Sequence, residues 1–354
     1  MGNKTKNVKM KSVLHVINDL KLGGAQKLVS DLIIESKDEY RFSIFILDSS
    51  NGLFDKILNE ERIEILSLYP ISLNKILKII RRLKSTDLIH VHLFPLLYLC
   101  SFIPIKKVYT EHNTWNRRRK YNLLMRIERF IYSNYDAVIS ISNKTKDALD
   151  TWLNRIPTNY NDVIYNGINL NKFTKKPLGI FGYRLGMMGR FSAQKDQATI
   201  LHALKYLPEE FSVIFAGSGE LLNNIKSLSQ ELNINRRVKF LGQITNIENY
   251  LNNIDLYIQS SNWEGFGLAP LEAMSKQIPT IGSNVDGLDE VIGSSDYLFK
   301  KDNPKDLAKS IMRIYNTDNS YMDAQKFAYA RAKEFSIDIA KEKYSQLYSL
   351  IINQ

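Results

Sequence analysis

Short apolar runs alternate with segments of helical period along almost the whole chain. The apolar runs of the first half predict strands, and they cover residues 13–17, 42–47, 63–68, 88–92, 107–110, 137–141 and 163–165. Helical periodicity lies between them, for example at residues 25–35, 73–83, 121–133 and 144–153. Strands that alternate with helices in this way predict a parallel sheet covered by helices.

The same alternation restarts after a polar stretch at residues 166–179, which has the composition of an interdomain connection. The predicted strands that follow are residues 183–188, 212–216, 238–241, 256–259 and 279–281, and helices dominate after Pro304. A chain of 354 residues exceeds the size of a single hydrophobic core. We therefore predict an α/β protein of two doubly wound domains, residues 1–172 and 173–336. Ligands of such domains bind at the carboxyl ends of the strands.

The net charge of +11 is unevenly distributed. Residues 1–172 contain 27 Lys and Arg against 17 Asp and Glu, whereas the remainder contains 21 against 20. This asymmetry indicates an anionic partner for the first half: nucleic acid, phospholipid head groups or a phosphorylated substrate. Basic residues concentrate at residues 75–84 and 117–129, and the second group is interleaved with Trp115, Tyr121, Leu123, Leu124 and Ile127. That pattern is typical of an interfacial helix on an anionic bilayer, and equally of a solvated face over the core.

The compartment follows from a few residues. Cys100 is the single cysteine, which excludes an internal disulfide and suits a reducing cytosol. The N-terminal lysines Lys4, Lys6, Lys9 and Lys11 precede a short strand without the apolar core of a secretion signal. The longest weakly charged run, residues 88–105, contains histidines and prolines, so a membrane-spanning helix is not expected there. We expect a cytoplasmic protein.

The motif with the most chemistry is N-W-E-G-F-G-L-A-P-L-E, which ends at Glu272. Gly265 and Gly267 permit a close approach of the backbone to a ligand, and Pro270 predicts the first turn of a helix, with Glu272 in that turn and Glu264 on the loop before it. Free amides at such a helix start bind anions, and carboxylates accept hydrogen bonds from hydroxyls. A nucleotide sugar has both groups. The alternative is an ordinary strand–turn–helix surface loop.

A cationic loop lies upstream in G-R-F-S-A-Q-K-D, where Gly189 and Arg190 follow a predicted strand and Lys195 comes shortly after. The two cations can clamp a diphosphate, although two solvated surface cations are the alternative. The sequence contains no D-x-D, so it does not suggest a carboxylate-held metal ion on the diphosphate. We therefore expect the cations to neutralise the leaving group.

Other candidates lie at predicted strand ends. Gly23 and Gly24 follow the first strand, His112 follows a strand in T-E-H-N-T-W, and Gly217 and Gly242 follow two strands of the second half. Each suits a ligand-facing loop, and each is also compatible with a plain turn or a solvent-facing residue. The remaining histidines, which lie in or beside apolar runs, are interpreted as packing residues; they are His15, His90, His92 and His202. No His/Cys group has the linear spacing of zinc ligands, so no metal site is predicted.

In order and spacing these motifs resemble the retaining glycosyltransferases of family 4, which have the GT-B fold of two Rossmann-like domains facing a central cleft. The resemblance covers nearly the whole chain. It rests on G-G-A-Q, T-E-H-N, Y-N-G-I-N, G-R-F-S-A-Q-K, A-G-S-G-E, F-L-G, E-G-F-G-L-A-P-L-E and P-T-I-G-S-N-V-D-G-L-D-E-V-I.

The resemblance implies a role for each candidate residue. Arg190 and Lys195 would hold the donor diphosphate, with Gly189, Gly217 and Gly242 lining the nucleotide site. Glu264 would contact sugar hydroxyls, and Glu272 would bind the ribose. Further contacts with the sugar and the phosphates are implied for Gly265, Phe266, Gly267 and Leu268, and in the N-terminal domain for His112, Gly23 and Gly24. The last helix, at about residues 337–354, would cross back onto the N-terminal domain.

The implied activity is transfer of a hexose or N-acetylhexosamine from a nucleotide sugar, a UDP-sugar by preference, with retention of anomeric configuration. The enzyme would need no metal and no cofactor. Its acceptor would be a lipid-linked or other glycan of surface polysaccharide biosynthesis, at the inner face of the cell membrane. Two alternatives stay open: a UDP-sugar 2-epimerase of the same architecture, and a basic nucleic-acid-binding protein.

Overall fold

The structure is a computed structural model, and it describes residues 10–21, 23–49 and 52–354, with only the backbone of Arg117. The N-terminal lysines Lys4, Lys6 and Lys9 lie outside the described residues. The chain divides into two compact units: residues 1–167 together with 337–354, and residues 168–336. The predicted boundary after residue 172 thus differs slightly from the observed one, because Ile168 already pairs with Ser336 in the second unit.

The first unit contains a parallel sheet of seven strands in the order β3-β2-β1-β4-β5-β6-β7 across its described residues. Its strands are β1 (Ser12–Ile17), β2 (Arg41–Ile46), β3 (Glu64–Ser67), β4 (Leu88–His92), β5 (Lys107–Glu111), β6 (Ala137–Ser140) and β7 (Tyr160–Val163). The strand order reverses between β1 and β4, and such a reversal opens a crevice at the carboxyl ends of the strands. The predicted strand at residues 163–165 forms earlier, as β7.

Helices cover both faces of this sheet. They are α1 (Gly24–Ser36), α2 (Leu53–Glu60), α3 (Leu73–Lys84), α4 (Leu96–Ser101), α5 (Asn122–Ser133), α6 (Asn143–Leu153) and α14 (Ile337–Asn353). Val13, Ile17 and Leu88 point to the face covered by α1 and α14. Leu14, Val16 and Ile89 point to the opposite face, where α4, α5 and α6 pack and the inner side of α3 joins them. Because both faces are covered, the central strands β1, β4, β5 and β6 are buried along their whole length.

The second unit repeats the arrangement with six parallel strands in the order β10-β9-β8-β11-β12-β13 among the described residues. The strands are β8 (Arg184–Met188), β9 (Ser212–Ala216), β10 (Val238–Phe240), β11 (Leu256–Gln259), β12 (Thr280–Ser283) and β13 (Leu298–Phe299). The helices are α7 (Gln197–Leu204), α8 (Leu222–Glu231), α9 (Ile247–Asn252), α10 (Leu268–Ser275), α11 (Leu288–Ile292), α12 (Pro304–Ile314) and α13 (Asp318–Lys333). Here the order reverses between β8 and β11. The predicted fold class, two doubly wound α/β domains, is confirmed.

The last helix belongs to the first unit although it follows the second in sequence. Its buried face packs into the core of the first sheet through Tyr344, Leu347 and Tyr348. Tyr40 fixes it further, because its hydroxyl donates to the carbonyl of Ser345 at 3.0 Å. None of the helices in the described part of the chain has both the length and the apolar character that crossing a membrane requires.

Candidate functional site

An ion pair bridges the strand-order reversal of the second unit. Lys195 lies on the loop after β8 and Glu264 on the loop after β11, and the ammonium group donates to the carboxylate Oε1. The side chains are only 20% and 8% exposed, respectively. The structure therefore brings together two predicted residues that are separated by 69 positions, at the place where this fold binds ligands.

The carboxylate of Glu264 is held by a buried polar network. Ser261 donates to its Oε1 at 2.7 Å, and Gln259 Nε2 donates to the same oxygen at 3.2 Å. The amide of Gln259 is oriented in turn, since the hydroxyl of Tyr257 donates to its Oε1 at 2.9 Å. Because such networks lock side-chain orientation, Glu264 is fixed before any ligand binds.

The two loops that carry the ion pair are also joined by their backbones. The amide of Asn262 donates to the carbonyl of Gln194 at 2.7 Å, and Gln194 Nε2 donates to the carbonyl of Trp263 at 3.0 Å. Asn262 Nδ2 donates to Ala193 at 2.8 Å. Sequence reasoning missed Gln194, Asn262, Gln259 and Ser261. Gln194 and Asn262 find their partners on loops 69 residues apart, which linear spacing does not reveal. Gln259 and Ser261 lie close to Glu264 in sequence, but a strand end followed by polar residues does not indicate which side chain they contact.

Glu272 is buried on α10, and its position differs from the prediction. The helix begins at Leu268 rather than near Pro270, with Gly267 as its N-cap at φ +116°, so Glu272 lies in the second turn and not in the first. Proline is tolerated there because its missing N–H is one of the amides that a helix start leaves unpaired. Burial raises the pKa of Tyr257, and the charges of Glu272 and Glu264 raise it further.

Three of the predicted glycines form one backbone cluster at the ends of β8, β9 and β10. A Cβ atom on Gly217 would lie 1.9 Å from the carbonyl oxygen of Gly189, and Gly217 has φ +134°. Its amide donates to the carbonyl of Gly242 at 2.7 Å. A side chain at Gly217 is therefore sterically impossible without moving the Gly189 loop that precedes Lys195.

Other predicted residues stand apart from this cluster or contribute differently. The side chain of Arg190 is exposed, and its backbone carbonyl accepts from Gln197 Nε2 at 3.0 Å. The ring of Phe266 is buried and packs edge-on against Phe335 at a centroid distance of 5.3 Å. Gly287 was missed: its Cβ position lies 2.6 Å from the carbonyl oxygen of Glu264, and its φ of +82° favours glycine.

In the first unit, Gly23, Gly24 and His112 follow β1 and β5 at the carboxyl edge of the sheet. Gly23 is the N-cap of α1, and Gly24 is its first residue. The neighbouring Glu111 stabilises the loop of His112, because its carboxylate accepts from the hydroxyl of Tyr132 at 2.9 Å and from the amide of Asn113 at 3.1 Å. Burial lowers the pKa of His112 to about 4.

His112 is also the end of a histidine chain that the sequence analysis did not predict. Its Nε2 lies 3.1 Å from Nδ1 of His92, and Nε2 of His92 lies 3.1 Å from Nδ1 of His15. His90 bonds instead to the hydroxyls of Tyr348 at 2.6 Å and Thr110 at 2.7 Å. The interpretation of His15, His90 and His92 as mere packing residues is therefore incomplete. The signal was the H-x-H pattern, which places both β4 histidines on one face of a strand.

Three of these histidines have the proximity of a metal-ligand set. The candidate ligand atoms of His15, His90 and His92 all lie within 4.8 Å of one another. Linear spacing gave no indication of this group, because the residues come from two strands. In the structure the nitrogens of His90 and His92 already make hydrogen bonds to protein groups, so metal binding would have to break these bonds.

The basic segment after His112 differs from the predicted interfacial helix. Arg118 Nε donates to Glu128 at 2.5 Å, and its guanidinium lies 4.4 Å from the ring centre of Phe94. Arg119 donates to the carbonyl of Thr114 at 2.6 Å. These two arginines stabilise the domain itself. The exposed side of α5 instead carries apolar side chains: Leu123, Ile127 and Phe130.

Comparison with known proteins agrees with this geometry. The model of the family described as Glycosyltransferase Family 4 matches residues 22–172, and that described as Glycosyl transferases group 1 matches residues 175–331. The capsular polysaccharide biosynthesis glycosyltransferase CapH of Staphylococcus aureus is 26% identical over 80% of this chain and 84% of its own. The UDP-Gal:alpha-D-GlcNAc-diphosphoundecaprenol alpha-1,3-galactosyltransferase of Escherichia coli is 34% identical over 35% of this chain and 37% of its own.

Among solved structures, Anabaena Alr3699/HepE in complex with UDP and glucose is 21% identical, with a TM-score of 0.83 over 96% of this chain and 99% of its own. At that identity the likeness establishes the fold. The two family models between them account for most of the chain and meet near the boundary of the two units. The chain belongs to the GT-B glycosyltransferases, with a family 4 N-terminal domain and a group 1 C-terminal domain.

Proposed function

We propose that this glycosyltransferase transfers a hexose or N-acetylhexosamine from a UDP-sugar to a lipid-linked glycan of surface polysaccharide biosynthesis, with retention and without a metal ion. The observation that carries the proposal is the Lys195–Glu264 pair at the strand-order reversal, with Glu272 buried on the helix that follows. A cation and two carboxylates in one crevice match the phosphates and hydroxyls of a nucleotide sugar.

Each of these residues is proposed to bind one part of the donor. Lys195 and the exposed Arg190 would neutralise the diphosphate, and the amides at the start of α10 would bind the same anion. Glu264, already oriented by Ser261 and Gln259, would accept from sugar hydroxyls. Glu272 would accept from the ribose hydroxyls.

In the proposed reaction the bond between the anomeric carbon and the phosphate oxygen breaks, and the acceptor oxygen forms its new bond on the same face of the sugar. The proton of the acceptor hydroxyl goes to an oxygen of the departing UDP. No protein base is needed. Lys195 and Arg190 would stabilise the negative charge that develops on the UDP, which is the role a metal ion plays elsewhere. The sequence has no D-x-D to hold such an ion.

Relatives support the choice of donor and acceptor. The Escherichia coli galactosyltransferase is named for a UDP-sugar and a diphosphoundecaprenol-linked acceptor, and CapH for capsular polysaccharide. The first name describes an acceptor sugar on a lipid diphosphate, and the second a capsular polysaccharide. We extend this substrate class to the present chain.

A donor screen tests the proposal. Purified enzyme is incubated with UDP-, GDP- and ADP-sugars plus an extract of lipid-linked glycans, with a chelator present, and nucleotide release is measured. We expect UDP release that depends on the extract, and an α-linked product by NMR of its anomeric centre. Loss of activity with chelator, or an inverted product, would contradict the metal-free retaining mechanism. Interconversion of UDP-N-acetylglucosamine without acceptor would identify the epimerase alternative.

We further propose that the N-terminal domain rests on an anionic membrane surface through α3 and α5. Both helices cover the same face of the first sheet and expose apolar side chains outward: Leu73, Ile76, Leu77 and Ile80 on α3, and Leu123, Ile127 and Phe130 on α5. Leu73 is 71% exposed and Leu123 is 73% exposed. The basic side chains of Arg81, Lys84 and Arg126 are exposed on the same helices. Apolar stripes with flanking cations are what an interfacial helix requires.

Vesicle co-sedimentation tests the membrane contact. We expect Leu123→Ser/Ile127→Ser and Leu73→Ser/Leu77→Ser each to reduce binding to vesicles of phosphatidylglycerol and phosphatidylcholine in equal parts. The control is Leu350→Ser, an exposed leucine on α14 over the opposite face of the sheet. Equal sedimentation of all variants would contradict the contact. Arg118 and Arg119 are poor test positions, because they stabilise the domain internally.

A further inference from the structure

The histidine chain occupies the same topological position in the first unit that the ion pair occupies in the second. His15 lies on β1 and His92 on β4, the two strands between which the order reverses. His15 is in register with His90, and His92 with Thr110. Because side chains two residues apart share a face of a strand, the register puts His15, His92 and His112 on one face. The chain is thus built into the sheet.

One end of the chain is sealed and the other reaches the sheet edge. His15 and His92 are fully buried, whereas His112 lies on the loop after β5 and retains 9% exposure. His15 Nε2 has no hydrogen-bond partner among the described residues. The rings around His15 are those of Phe42, His90 and Tyr348. The tautomer of His15 at the buried end therefore determines the tautomers of His92 and His112.

Proton counting gives this chain a direction. A neutral imidazole carries one N–H, so each histidine-to-histidine bond needs one donor and one acceptor nitrogen. If His15 carries its proton on Nδ1, it donates to His92, His92 donates from Nδ1 to Nε2 of His112, and the N–H of His112 is on Nδ1. The reverse order would leave a buried N–H of His15 without an acceptor. Orphaned buried donors are rarer than orphaned acceptors.

We propose that the His15–His92–His112 chain fixes His112 as the Nδ1–H tautomer, so that at the carboxyl edge of the first sheet it donates a hydrogen bond to a sugar hydroxyl of a substrate. His92 and His15 are then positioning residues. The sugar contact rests on the proposed function, whereas the tautomer is a property of the protein alone. Neutrality is consistent with burial, which lowers the pKa of His15 to about 3 and of His112 to about 4.

A fixed tautomer has a functional consequence. A neutral donor can bind a sugar hydroxyl without adding positive charge to the site. His90 serves a different purpose although it is equally buried, because its two nitrogens bond to Tyr348 and Thr110 and so hold α14 on the sheet. It therefore provides a matched control on the same strand and face.

NMR of the full-length protein labelled with ¹⁵N-histidine tests the tautomers without any ligand. Long-range proton–nitrogen correlations distinguish a protonated ring nitrogen from a bare one. We expect protonated Nδ1 and bare Nε2 in His15, His92 and His112. Protonated Nε2 in His112 would overturn the proposal. A change of these signals after dialysis against a chelator would reveal a metal bound to the cluster and would overturn it as well.

Variants test whether the chain imposes the tautomer. In His92→Leu we expect His112 to lose its single Nδ1–H form, and in His92→Asn to keep it, since the asparagine amide nitrogen can take the place of imidazole Nδ1. His90→Gln should leave the tautomer of His112 unchanged even if it lowers stability. An unchanged Nδ1–H form of His112 in His92→Leu would overturn the proposal.

Kinetics separate this proposal from the proposed function. With the UDP-sugar that gives most UDP release in the screen, His92→Leu should lower kcat about tenfold with KM nearly unchanged, and His92→Asn should recover most of it. If His112→Ala releases UDP like wild type while the tautomers are as expected, the proposed sugar contact is wrong but the proposed tautomer of His112 is confirmed. If His112→Ala is inactive but the tautomers are reversed, the proposed function is supported and the proposed tautomer of His112 is wrong.

Discussion

Each of the two sheets opens a crevice where its strand order reverses, but the side chains at one crevice are charged and those at the other are neutral. At the strand-order reversal of the second unit, Lys195 and Glu264 form an ion pair with further polar support. At the corresponding reversal of the first unit, His15 and His92 form a neutral hydrogen-bonded chain among aromatic rings. The fold determines where each crevice opens. It does not determine whether charged or neutral side chains line that crevice.

The contrast suggests a division of labour between the units. The charged crevice suits the phosphates and the leaving UDP, which need stabilisation of negative charge. Under the proposed function, the neutral histidine chain would serve a sugar hydroxyl, which needs a hydrogen bond and no charge. Each of the following experiments changes one side of this comparison.

The largest effect is expected at the ion pair. Lys195→Ala and Glu264→Gln should each lower kcat/KM by about 10²–10³-fold, because each removes a preorganised charge from the reacting region. The measurement is initial-rate kinetics of UDP release. Glu209→Gln is the control, since this carboxylate is 92% exposed and pairs with Arg237 outside the crevice. Wild-type rates in both site variants would remove the charged crevice from the mechanism.

The second effect concerns nucleotide affinity. Glu272→Ala should weaken UDP binding by about ten- to hundredfold, the range for losing hydrogen bonds to a charged group. Titration calorimetry with UDP measures it directly. Glu264→Ala serves as the comparison, because it should impair transfer more than UDP binding. Equal UDP affinity in wild type and Glu272→Ala would contradict the ribose assignment.

The third effect is on stability in acid. Burial holds the pKa of His15 at about 3, well below the 6.5 of a free histidine, so the unfolded chain binds the proton first. Its contribution is present above pH 6.5 and is lost as pH falls towards 3. Between pH 7 and pH 5 the free energy of unfolding should fall by about 2 kcal/mol for this residue.

Urea unfolding of wild type and His15→Leu at both pH values isolates that contribution. The groups that face His15 are His90 and His92 of β4 and Tyr348 of α14, and they remain in the variant. We expect the pH dependence of the variant to be smaller. An identical pH dependence would mean that His15 does not titrate differently in the folded and unfolded chains.

The smallest effect is expected where α14 meets the histidines. Tyr348→Phe removes the 2.6 Å bond to His90 and should lower the free energy of unfolding by about 1 kcal/mol. Tyr344→Phe is the control, because its hydroxyl lies 3.3 Å from Thr110 and loses a weaker contact. Equal stability of the two variants would argue against a specific role for the Tyr348 bond.

Sequence reasoning predicted the charged crevice better than the neutral one for a physical reason. Glu264, Gly267 and Glu272 lie within one strand–loop–helix unit, so their local spacing indicated that they lie close together. The histidine chain is assembled from residues 15, 92 and 112 by strand register, which a single sequence does not reveal. The H-V-H pattern predicts that His90 and His92 share a face of their strand, but it does not indicate which strands lie beside them.

The fold was largely predictable, because alternating apolar runs and helical periods determine a parallel α/β architecture. Local details depended on backbone conformations that composition does not specify. The start of α10 moved to Leu268 because Gly267 adopts a positive φ. The basic composition of residues 117–129 predicted a membrane contact, but Arg118 and Arg119 bind Glu128 and the carbonyl of Thr114 within the domain.

The position of α14 has a consequence for synthesis on the ribosome. One face of the first sheet lacks α14 until residues 337–354 emerge, and the second domain is by then completely translated. The nascent chain must therefore carry an unfinished first domain, with Tyr348 and its histidine partner still apart, past the folding of the second. A chain that stops before Ile337 is expected to leave the domain encoded first without α14 and without the Tyr348 bond to His90.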